Sequence, residues 1–327
     1  MLSRVTFGSC LIAGMLIAAP FTTNVARSDE SKPAKVTVEP TDKGGAVVRV
    51  DGQLFTEYIP KSGPKPVLWP LIGPSGKAMT RTYPIKEEKI EGEKQDHIHH
   101  RSFWFTHGKV NGVNFWGETD PHGEIVQKSI AVDPKKSTIV TTNDWLAPDG
   151  KKVCEDERTL SFGANGNERW IDFDIVVKAT NGDLVFGDDK EGVFGVRVAG
   201  TMDVTAKLGG KIVNSEGQVD DAAWGKPAKW VDYHGPVGGE TVGLAILNHP
   251  SSFRYPTRWH VRTYGLFTAN PFGLSFFEPA AKQDGSHTIE SGQTMQLRYR
   301  VILHTGDEKQ GQIAEAFEKY SEVKKGE

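Results

Sequence analysis

The chain has little cysteine, with only Cys10 and Cys154 among its 327 residues. Cys10 lies in an N-terminal segment that has the features of a signal peptide, so a mature chain would keep Cys154 alone. A single thiol cannot close an internal disulfide. The fold must therefore be stabilised by burial of apolar side chains and not by covalent cross-links.

Long apolar runs are also scarce. Residues 1–26 combine Arg4, a short apolar core and then small residues, which is typical of a secretory signal peptide. No other segment is apolar for long enough to cross a bilayer, so we expect no membrane span after signal cleavage; an uncleaved N-terminal anchor is the alternative. We therefore expect an exported protein, periplasmic or extracellular, with a flexible segment at 27–34.

Excess positive charge is absent as well. The formal net charge is -3, and no cluster of lysine and arginine is visible in the sequence. Because binding to phosphate backbones requires a clustered basic surface, we expect no nucleic-acid partner. The chain also lacks HExxH, paired CxxC, Gly-x-Ser-x-Gly and GxGxxG motifs, which leaves zincin, serine-hydrolase and nucleotide-binding functions without support. No cofactor is expected; a bound metal ion is the alternative.

What the chain does contain is a succession of short β-type runs bounded by Gly, Pro, Asn and Asp. In residues 168–178, Ile171, Phe173 and Ile175 alternate with more polar neighbours, as expected for a strand with one buried face. Strands are predicted at 45–51, 99–107, 124–132, 137–145, 168–178, 192–199, 241–248, 260–265, 273–277 and 295–304.

One segment, 307–325, has helical spacing, with Ile313, Phe317 and Tyr320 on one face. The predicted fold is therefore all-β, a large antiparallel two-sheet supersandwich closed by one C-terminal helix, in a single domain over 35–327. Two successive sandwiches divided near 181–189 are the alternative.

The densest group of polar side chains lies at 97–107, where four of the ten histidines fall. If this segment is a strand, His97, His99, Arg101 and His107 share one face. Such a density favours a functional site, whereas a strand with its polar face in solvent is the alternative. His97 and His99 also have the spacing at which two histidines on one strand can ligate a metal ion, with a third ligand supplied from elsewhere.

The residues that follow predict a hairpin. Asn111-Gly112 is a strong tight-turn signal, and folding back at this turn would bring Asn114, Trp116 and Glu118 beside the histidines. Asparagine and glutamate hydrogen-bond hydroxyl groups, and the tryptophan ring offers an apolar face to the C–H side of a sugar. Ordinary core and surface positions are the alternative for each residue taken singly.

Two further segments carry candidate groups. In 248–265, the prolines predict a loop that holds His249, Arg254 and Tyr255, followed by a strand on which His260, Arg262 and Tyr264 share a face. The planar guanidinium of arginine suits carboxylates, phosphates and vicinal oxygens, which makes an acidic or oxidised sugar plausible as ligand. An arginine paired to an internal carboxylate is the alternative.

In 187–197, acidic and basic residues precede a strand. Glu191 could act there as a general acid or base if the fold brings it to the histidines. A solvated charged turn is the alternative for this segment.

Several motifs together resemble the family labelled PmoA-like, a secreted bacterial domain of unknown function. They are Gly73-Pro74 with Thr80-Arg81-Thr82-Tyr83, Asp96-His97-Ile98-His99-His100-Arg101-Ser102, His107-Gly108, Val110-Asn111-Gly112, Lys190-Glu191-Gly192, Trp224-Gly225-Lys226, Trp230-Val231-Asp232-Tyr233, Arg254-Tyr255-Pro256-Thr257, Trp259-His260-Val261-Arg262 and Asn270-Pro271-Phe272-Gly273. The resemblance spans nearly the whole mature chain and departs from the family at Ile98, where proline is frequent.

The resemblance implies a polysaccharide-degrading context but no established reaction. The label derives from a membrane-bound copper subunit of methane monooxygenase, and this chain has no comparable spans, so methane oxidation is not expected. The β pattern is also similar to galactose-mutarotase-type supersandwiches, in which sugars bind on a concave sheet; that likeness of fold fixes no activity.

We therefore predict a carbohydrate-active protein, most simply an enzyme that acts on a sugar or oxidised sugar by histidine and carboxylate acid–base chemistry; epimerisation, elimination and hydrolysis stay open. A non-catalytic carbohydrate-binding protein and a metal-dependent enzyme are the alternatives. The predicted catalytic residues are His97, His99, Glu118 and Glu191. The predicted substrate-binding residues are Arg101, His107, Asn114, Trp116, His249, Arg254, Tyr255, His260 and Arg262.

Overall fold

The computed structural model describes residues 1–2, 34–90, 92–119 and 121–324. The predicted signal peptide beyond its first two residues, and nearly all of the predicted flexible segment 27–34, lie outside the described residues. The described residues from 34 onward belong to one compact unit.

In the described residues the chain forms strands β1 (Val36–Pro40), β2 (Ala46–Val50), β3 (Gln53–Ser62), β4 (Lys65–Trp69), β5 (Phe103–His107), β6 (Glu124–Asp133), β7 (Thr138–Leu146), β8 (Lys152–Ala164), β9 (Glu168–Lys178), β10 (Leu184–Phe186), β11 (Gly192–Arg197), β12 (Lys211–Asn214), β13 (Trp230–Val237), β14 (Glu240–Asn248), β15 (Arg258–Val261), β16 (Leu266–Asn270), β17 (His287–Ile289) and β18 (Thr294–Thr305). The α-helices are α1 (Leu274–Phe277) and α2 (Ile313–Ser321), and short 3-10 helices cover Gly200–Met202, Val204–Ala206, Asp220–Ala223 and Pro279–Ala281.

The strands form two large antiparallel sheets. The first has eight strands in the order β1-β2-β3-β4-β5-β11-β16-β15, and the second has eight in the order β12-β13-β14-β18-β9-β8-β7-β6. Strands β10 and β17 pair separately. This architecture confirms the predicted all-β, two-sheet fold.

The core lies between the two sheets because each sheet turns its apolar face inward. In β9 the predicted alternation holds: Phe173 is buried, and its ring contacts Phe103 of β5 and Phe194 of β11 at centroid distances of 5.7 and 5.0 Å. Phe194 in turn stacks on Tyr299 of β18 at 4.7 Å. Each such buried aromatic contributes roughly 1.5–3 kcal/mol, and the interlocking rings fix the position of β5 and β11, which support the candidate site.

Helix α2 covers the outer face of the second sheet. Its Ile313, Phe317 and Tyr320 are buried against a satellite cluster that includes Leu247 and Ile302. The predicted helical spacing of these three residues is therefore confirmed, although the helix is shorter than the segment 307–325.

Two predicted strands, 99–107 and 260–265, are confirmed only in part, and the one predicted at 273–277 is wrong. Segment 99–107 becomes a strand only at Phe103, because Ser102 has a left-handed φ of 60°. Segment 260–265 joins the end of β15 to a turn, closed by a 2.7 Å bond from the Arg262 N–H to the Leu266 carbonyl. Segment 273–277 contains the short helix α1, because apolar residues alone do not distinguish a short strand from one helical turn.

Candidate active site

The histidine loop, residues 96–102, leads into β5 through turns. His97 has a left-handed φ of 45°, and the His100 N–H donates to the His97 carbonyl at 2.9 Å. The buried guanidinium of Arg81 donates to the carbonyls of His97 and His100 at 3.0 and 3.3 Å. These bonds satisfy the two carbonyls and hold His97 in a left-handed backbone conformation that residues other than glycine rarely adopt. Backbone strain of this type clusters at functional sites.

Asp96 anchors the same loop through its carboxylate. Its Oδ1 accepts from Arg81 Nη1 at 2.6 Å and from Arg197 Nη2 at 3.0 Å, and it lies 3.1 Å from His97 Nδ1. Burial alone would raise the pKa of Asp96, but Arg197, His97 and Arg81 outweigh burial and lower it. Asp96 is therefore an anion that orients the His97 ring.

A column of parallel rings fixes the plane of His97. The His97 ring stacks on Tyr264 at 5.2 Å on one side and on His100 at 4.8 Å on the other, with interplanar angles of 7° and 2°. His100 stacks in turn on Trp104 of β5 at 5.5 Å. Because His97 retains 41% side-chain exposure, its imidazole is rigidly held yet accessible.

His99 and His100 stand in an electropositive environment. Burial, followed by the charge of Lys65, lowers the pKa of His99 to about 4. Burial lowers the pKa of His100 well below its ordinary value, and the nearby Arg197 adds to this effect. Arg197 Nη1 lies 3.0 Å from His100 Nδ1, so Nδ1 accepts and the proton of the neutral ring is on Nε2. Both imidazoles are neutral at neutral pH.

The predicted hairpin is present. Asn111 and Gly112 have φ values of 47° and 78°, the left-handed pair that a tight hairpin turn requires, and they bring Trp116 back to the histidine loop. The Trp116 ring lies 6.0 Å from the His99 ring and 5.7 Å from the His100 ring. Asn114 Oδ1 accepts from the Trp116 N–H at 2.9 Å and so shapes the turn.

The acidic turn, residues 187–191, lies against the chain just after the end of β5. Gly108 makes this possible, because a Cβ there would lie 2.6 Å from Asp189 Oδ2. The Gly108 N–H donates to the Glu191 carbonyl at 2.7 Å, and Asp189 Oδ1 accepts from the Glu191 N–H at 3.0 Å. The Glu191 carboxylate pairs with Lys190 and remains about one-third exposed, at 31%.

His260, on β15, is a neutral donor in a fixed tautomer. Trp224 Nε1 donates to His260 Nδ1 at 2.8 Å, which leaves the ring proton on Nε2. Burial lowers the pKa of His260 to about 3, and the nearby Lys190 and Arg262 reinforce the shift. The imidazole is therefore uncharged across the physiological range.

Arg262 follows β15 and has no ion-pair partner among the residues that the structure describes. Its guanidinium carbon lies over the rings of Trp224 and Tyr264, at 5.6 and 5.8 Å from their centroids. Aromatic faces hold a guanidinium in place while leaving its N–H groups available to a ligand.

These elements enclose one cleft of about 500 Å³, a size within the range of small-molecule sites. The cleft brings together seven of the predicted site residues: His97, His99, Asn114, Trp116, Glu191, His260 and Arg262. It also includes residues that sequence reasoning did not select: His100, Gly108, Gly117, Asp189, Lys190 and Tyr264.

Glu118 and Arg101 lie outside the cleft lining and correct the sequence-based assignment. Arg101 Nε and Nη2 donate to the Glu118 carboxylate at 2.7 and 2.6 Å, and Lys65 Nζ donates to it at 3.0 Å. Burial alone would raise the pKa of Glu118, but hydrogen bonds from Arg101 and Lys65 outweigh it and lower that pKa. The carboxylate is committed to two internal cations, so a catalytic role for Glu118 and a ligand-binding role for Arg101 are not retained.

His107 is also corrected, because it lies in the core. It is fully buried, its Nε2 lies 2.7 Å from the Gly187 carbonyl, and its ring contacts those of Phe186 and Phe272 at 5.4 and 5.1 Å. Burial lowers its pKa to about 4. His107 ties β5 to the acidic turn and does not line the cleft.

His249 and Tyr255 belong to the second sheet. The His249 N–H donates to the Arg298 carbonyl of β18 at 3.0 Å, and the His249 ring contacts Tyr320 of α2 at 5.1 Å. Tyr255 packs against the same cluster under α2. Neither residue lines the cleft, because the loop that precedes β15 returns along β18.

Arg254 is corrected for a related reason. Its guanidinium donates to the carbonyls of Pro271 and Ser286 at 2.9 and 2.8 Å, and also to that of Gly285. These bonds hold two loops together and use the donors that were predicted to bind substrate.

A metal ion at His97 and His99 gains no support from the geometry. Their rings meet edge to face at 5.8 Å, and no third ligand completes a compact cluster with them in the described part of the chain. A compact set of potential ligand atoms exists elsewhere, at Asp232, His234 and Glu308 on the second sheet and in the loop that follows it.

The family model for DUF6807, a family of unknown function, matches residues 45–318, and the chain belongs to this family. The match does not confirm the label PmoA-like. No functionally curated protein matches the sequence significantly.

Solved structures give weak likenesses. The α-galactosidase from Lactobacillus brevis shares 7% identity at a TM-score of 0.37, over 86% of this chain and 39% of its own. A β-arabinopyranosidase shares 11% identity at a TM-score of 0.33, over 84% of this chain and 38% of its own. A protein from Synechocystis sp. shares 8% identity at a TM-score of 0.33, over 89% of this chain and 100% of its own. The chain thus spans about two fifths of these glycosidases, and at such scores the likeness supports no conclusion about activity.

None of the helices in the described residues is long and apolar enough to cross a bilayer.

Proposed function

We propose that this protein is an exported carbohydrate-active enzyme in which His97 exchanges a proton with a sugar bound in the cleft. The observation that carries the proposal is the Asp96–His97 pair. With Asp96 Oδ1 at 3.1 Å from Nδ1, the carboxylate favours the tautomer that carries its proton on Nδ1, leaving Nε2 as the base, and it stabilises the imidazolium once the proton has been taken.

The rest of the cleft supports a ligand rich in hydroxyl groups. His100 Nε2 and Trp116 Nε1 are buried N–H donors on residues that line the cleft, and neither has an acceptor among the described residues. An unsatisfied buried donor costs roughly 1–3 kcal/mol, so sugar oxygens are a natural complement. The Trp116 ring, which lines the cleft, provides apolar surface for the C–H side of a pyranose.

Two further groups could act as the general acid that complements His97 as the base. Glu191 and its partner Lys190 border the cleft and can return a proton to a leaving oxygen. His99, which is neutral and lies beside His97, can hydrogen-bond to the ligand's hydroxyl groups. Export rests on the signal-peptide pattern of residues 1–26.

The proposal is tested by incubating purified mature protein with a library of neutral, acidic and keto sugars and by following mass and ring configuration. We expect at least one sugar to be converted, with the rate reduced roughly 100-fold or more in His97→Gln, in line with the loss of a general acid–base group. His287→Gln is the matched control, since His287 is half-buried on β17 and does not line the cleft.

The variant Asp96→Asn tests the role of Asp96 in orienting His97 without changing His97 itself. Because asparagine brings no negative charge to the imidazolium that forms when His97 takes the proton, this variant should lower kcat while binding is retained. A sugar that binds but is not converted by wild-type protein would instead indicate the non-catalytic carbohydrate-binding alternative.

A further inference from the structure

We infer that the substrate is an acidic sugar whose carboxylate lies against Arg262 and His260, and that His97 removes the proton from the carbon next to that carboxylate. This inference rests on the proposed function and gives it a substrate class and a first step. It follows from how charge is distributed around the cleft.

The first observation is that Arg262 is a cation without a counter-ion among the described residues. Its guanidinium is held over Trp224 and Tyr264, at 5.6 and 5.8 Å from their ring centroids, and it lines the cleft. A fork of N–H donors beside an aromatic platform matches the two oxygens of a carboxylate.

The second observation is that the wall behind the histidines has excess positive charge. Arg81 and Arg197 share the carboxylate of Asp96. Lys65 and Arg101 share that of Glu118 in the same way. Two cations thus contact each of these acids, so this wall attracts anions although the chain as a whole carries a formal charge of -3.

The facing side of the cleft carries charges of both signs. The acidic turn contributes Asp189 and Glu191, and Lys190 pairs with Glu191. Arg262 therefore remains as the cation most available to a ligand, and the neutral Nε2–H of His260 can donate beside it.

His97 and Arg262 both lie next to the Tyr264 ring, and both line the cleft. The His97 ring centroid is 5.2 Å from that of Tyr264, and the Arg262 guanidinium carbon is 5.8 Å from the same centroid. A single monosaccharide unit can therefore present its carboxylate to Arg262 and the adjacent C–H to His97.

The chemistry balances without an oxidant or a reductant. The C–H bond next to the carboxylate breaks, His97 Nε2 takes the proton, and the electron pair moves into the bond to the carboxylate carbon. The resulting enediolate carries added negative charge, which Arg262 and the His260 N–H stabilise. Reprotonation on the opposite face gives the epimer. Expulsion of the oxygen on the next carbon, with a proton from Lys190 or Glu191, gives an unsaturated acid.

Binding is the first test. Isothermal titration calorimetry compares methyl galacturonoside and methyl glucuronoside with methyl galactoside and methyl glucoside. We expect the acids to bind more tightly, and Arg262→Gln to weaken only the acids, by about 10- to 100-fold, as expected for loss of a charge-assisted hydrogen bond. Arg49→Gln, at a half-buried arginine of β2 whose guanidinium donates to a backbone carbonyl, is the control and should change neither.

Proton abstraction is the second test. In D2O, the acidic sugar should either gain deuterium next to its carboxylate or form an unsaturated product that is visible by ultraviolet absorbance, and His97→Gln should abolish both signals. His97→Gln is checked for native folding by its thermal melt.

The outcomes separate this inference from the proposed function. Conversion of neutral sugars alone, dependent on His97, would leave the proposed function standing and overturn the acidic substrate. Tighter binding of galactose 6-sulfate or 6-phosphate at Arg262 would overturn the assignment to a carboxylate. Acids that bind at Arg262 without exchange or elimination would overturn the proton-abstraction step.

Discussion

Replacing Glu118 by glutamine should destabilise the fold far more than it alters the cleft. The change keeps the shape of the side chain but removes the charge that Lys65 and Arg101 share. The side chains of Lys65 and Glu118 are 0% and 7% exposed, so water cannot replace the lost carboxylate.

The magnitude follows from burial. Removing one partner of a buried ion pair leaves an uncompensated charge and costs roughly 3–5 kcal/mol, a large share of the 5–15 kcal/mol or so that stabilises a typical protein. Burial already lowers the pKa of Lys65 to about 8, against the opposing influence of Glu118. Without Glu118 the lysine loses its proton more readily, so the destabilisation should be smaller at pH 9 than at pH 6.

Urea unfolding followed by tryptophan fluorescence measures this difference. Glu124→Gln is the matched control, since the Glu124–Lys61 pair at 3.4 Å is exposed, with side chains 45% and 72% accessible, and should contribute less than about 1 kcal/mol. If Glu118→Gln were no more destabilising than Glu124→Gln but abolished sugar conversion, Glu118 would be catalytic and its role as a purely structural ion-pair partner would be refuted.

Three other outcomes are expected. Burial alone would lower the pKa of His304, but the charge of Asp232 outweighs burial and raises it. The stabilisation from this pair is therefore complete below the pKa of an unfolded histidine, about 6.5, and is lost as the pH rises through the higher pKa of the folded state. Asp232→Asn should therefore cost more unfolding free energy at pH 6 than at pH 9, whereas exposed Asp42→Asn should cost the same at both. Phe317→Ala removes a buried aromatic ring between α2 and the second sheet. It should lower the free energy of unfolding in urea by about 3–5 kcal/mol. The thiol of Cys154, buried and with its pKa raised by burial, should react with a disulfide reagent only after denaturation.

Sequence periodicity predicted the elements whose residues alternate regularly. Strand β9 was expected at 168–178 and is found at Glu168–Lys178, because one face packs on the core along its whole length. The helix positions Ile313, Phe317 and Tyr320 were likewise evident from their spacing. Turn chemistry at Asn111-Gly112 predicted the hairpin that brings Trp116 to the histidines.

Contacts between distant segments could not be predicted in this way. The carboxylate of Glu118 is committed to Lys65, which lies 53 positions earlier in the chain, and no local pattern encodes that pairing. His100 was missed because strand alternation placed it on the face opposite His97 and His99. Asp96 was missed because it precedes the predicted strand. The left-handed backbone at His97 breaks that alternation, and its cause is a bond network from Arg81 that the sequence does not reveal.

NMR of histidine side chains labelled with nitrogen-15 tests whether one cleft presents these imidazoles to a sugar. On titration with methyl galacturonoside, the signals of His97, His99 and His260 should shift together in a saturable manner, while those of His249 and His287 stay unchanged. Shifts at His249 alone, or no shift at the three cleft histidines with any acidic or neutral sugar, would contradict the account.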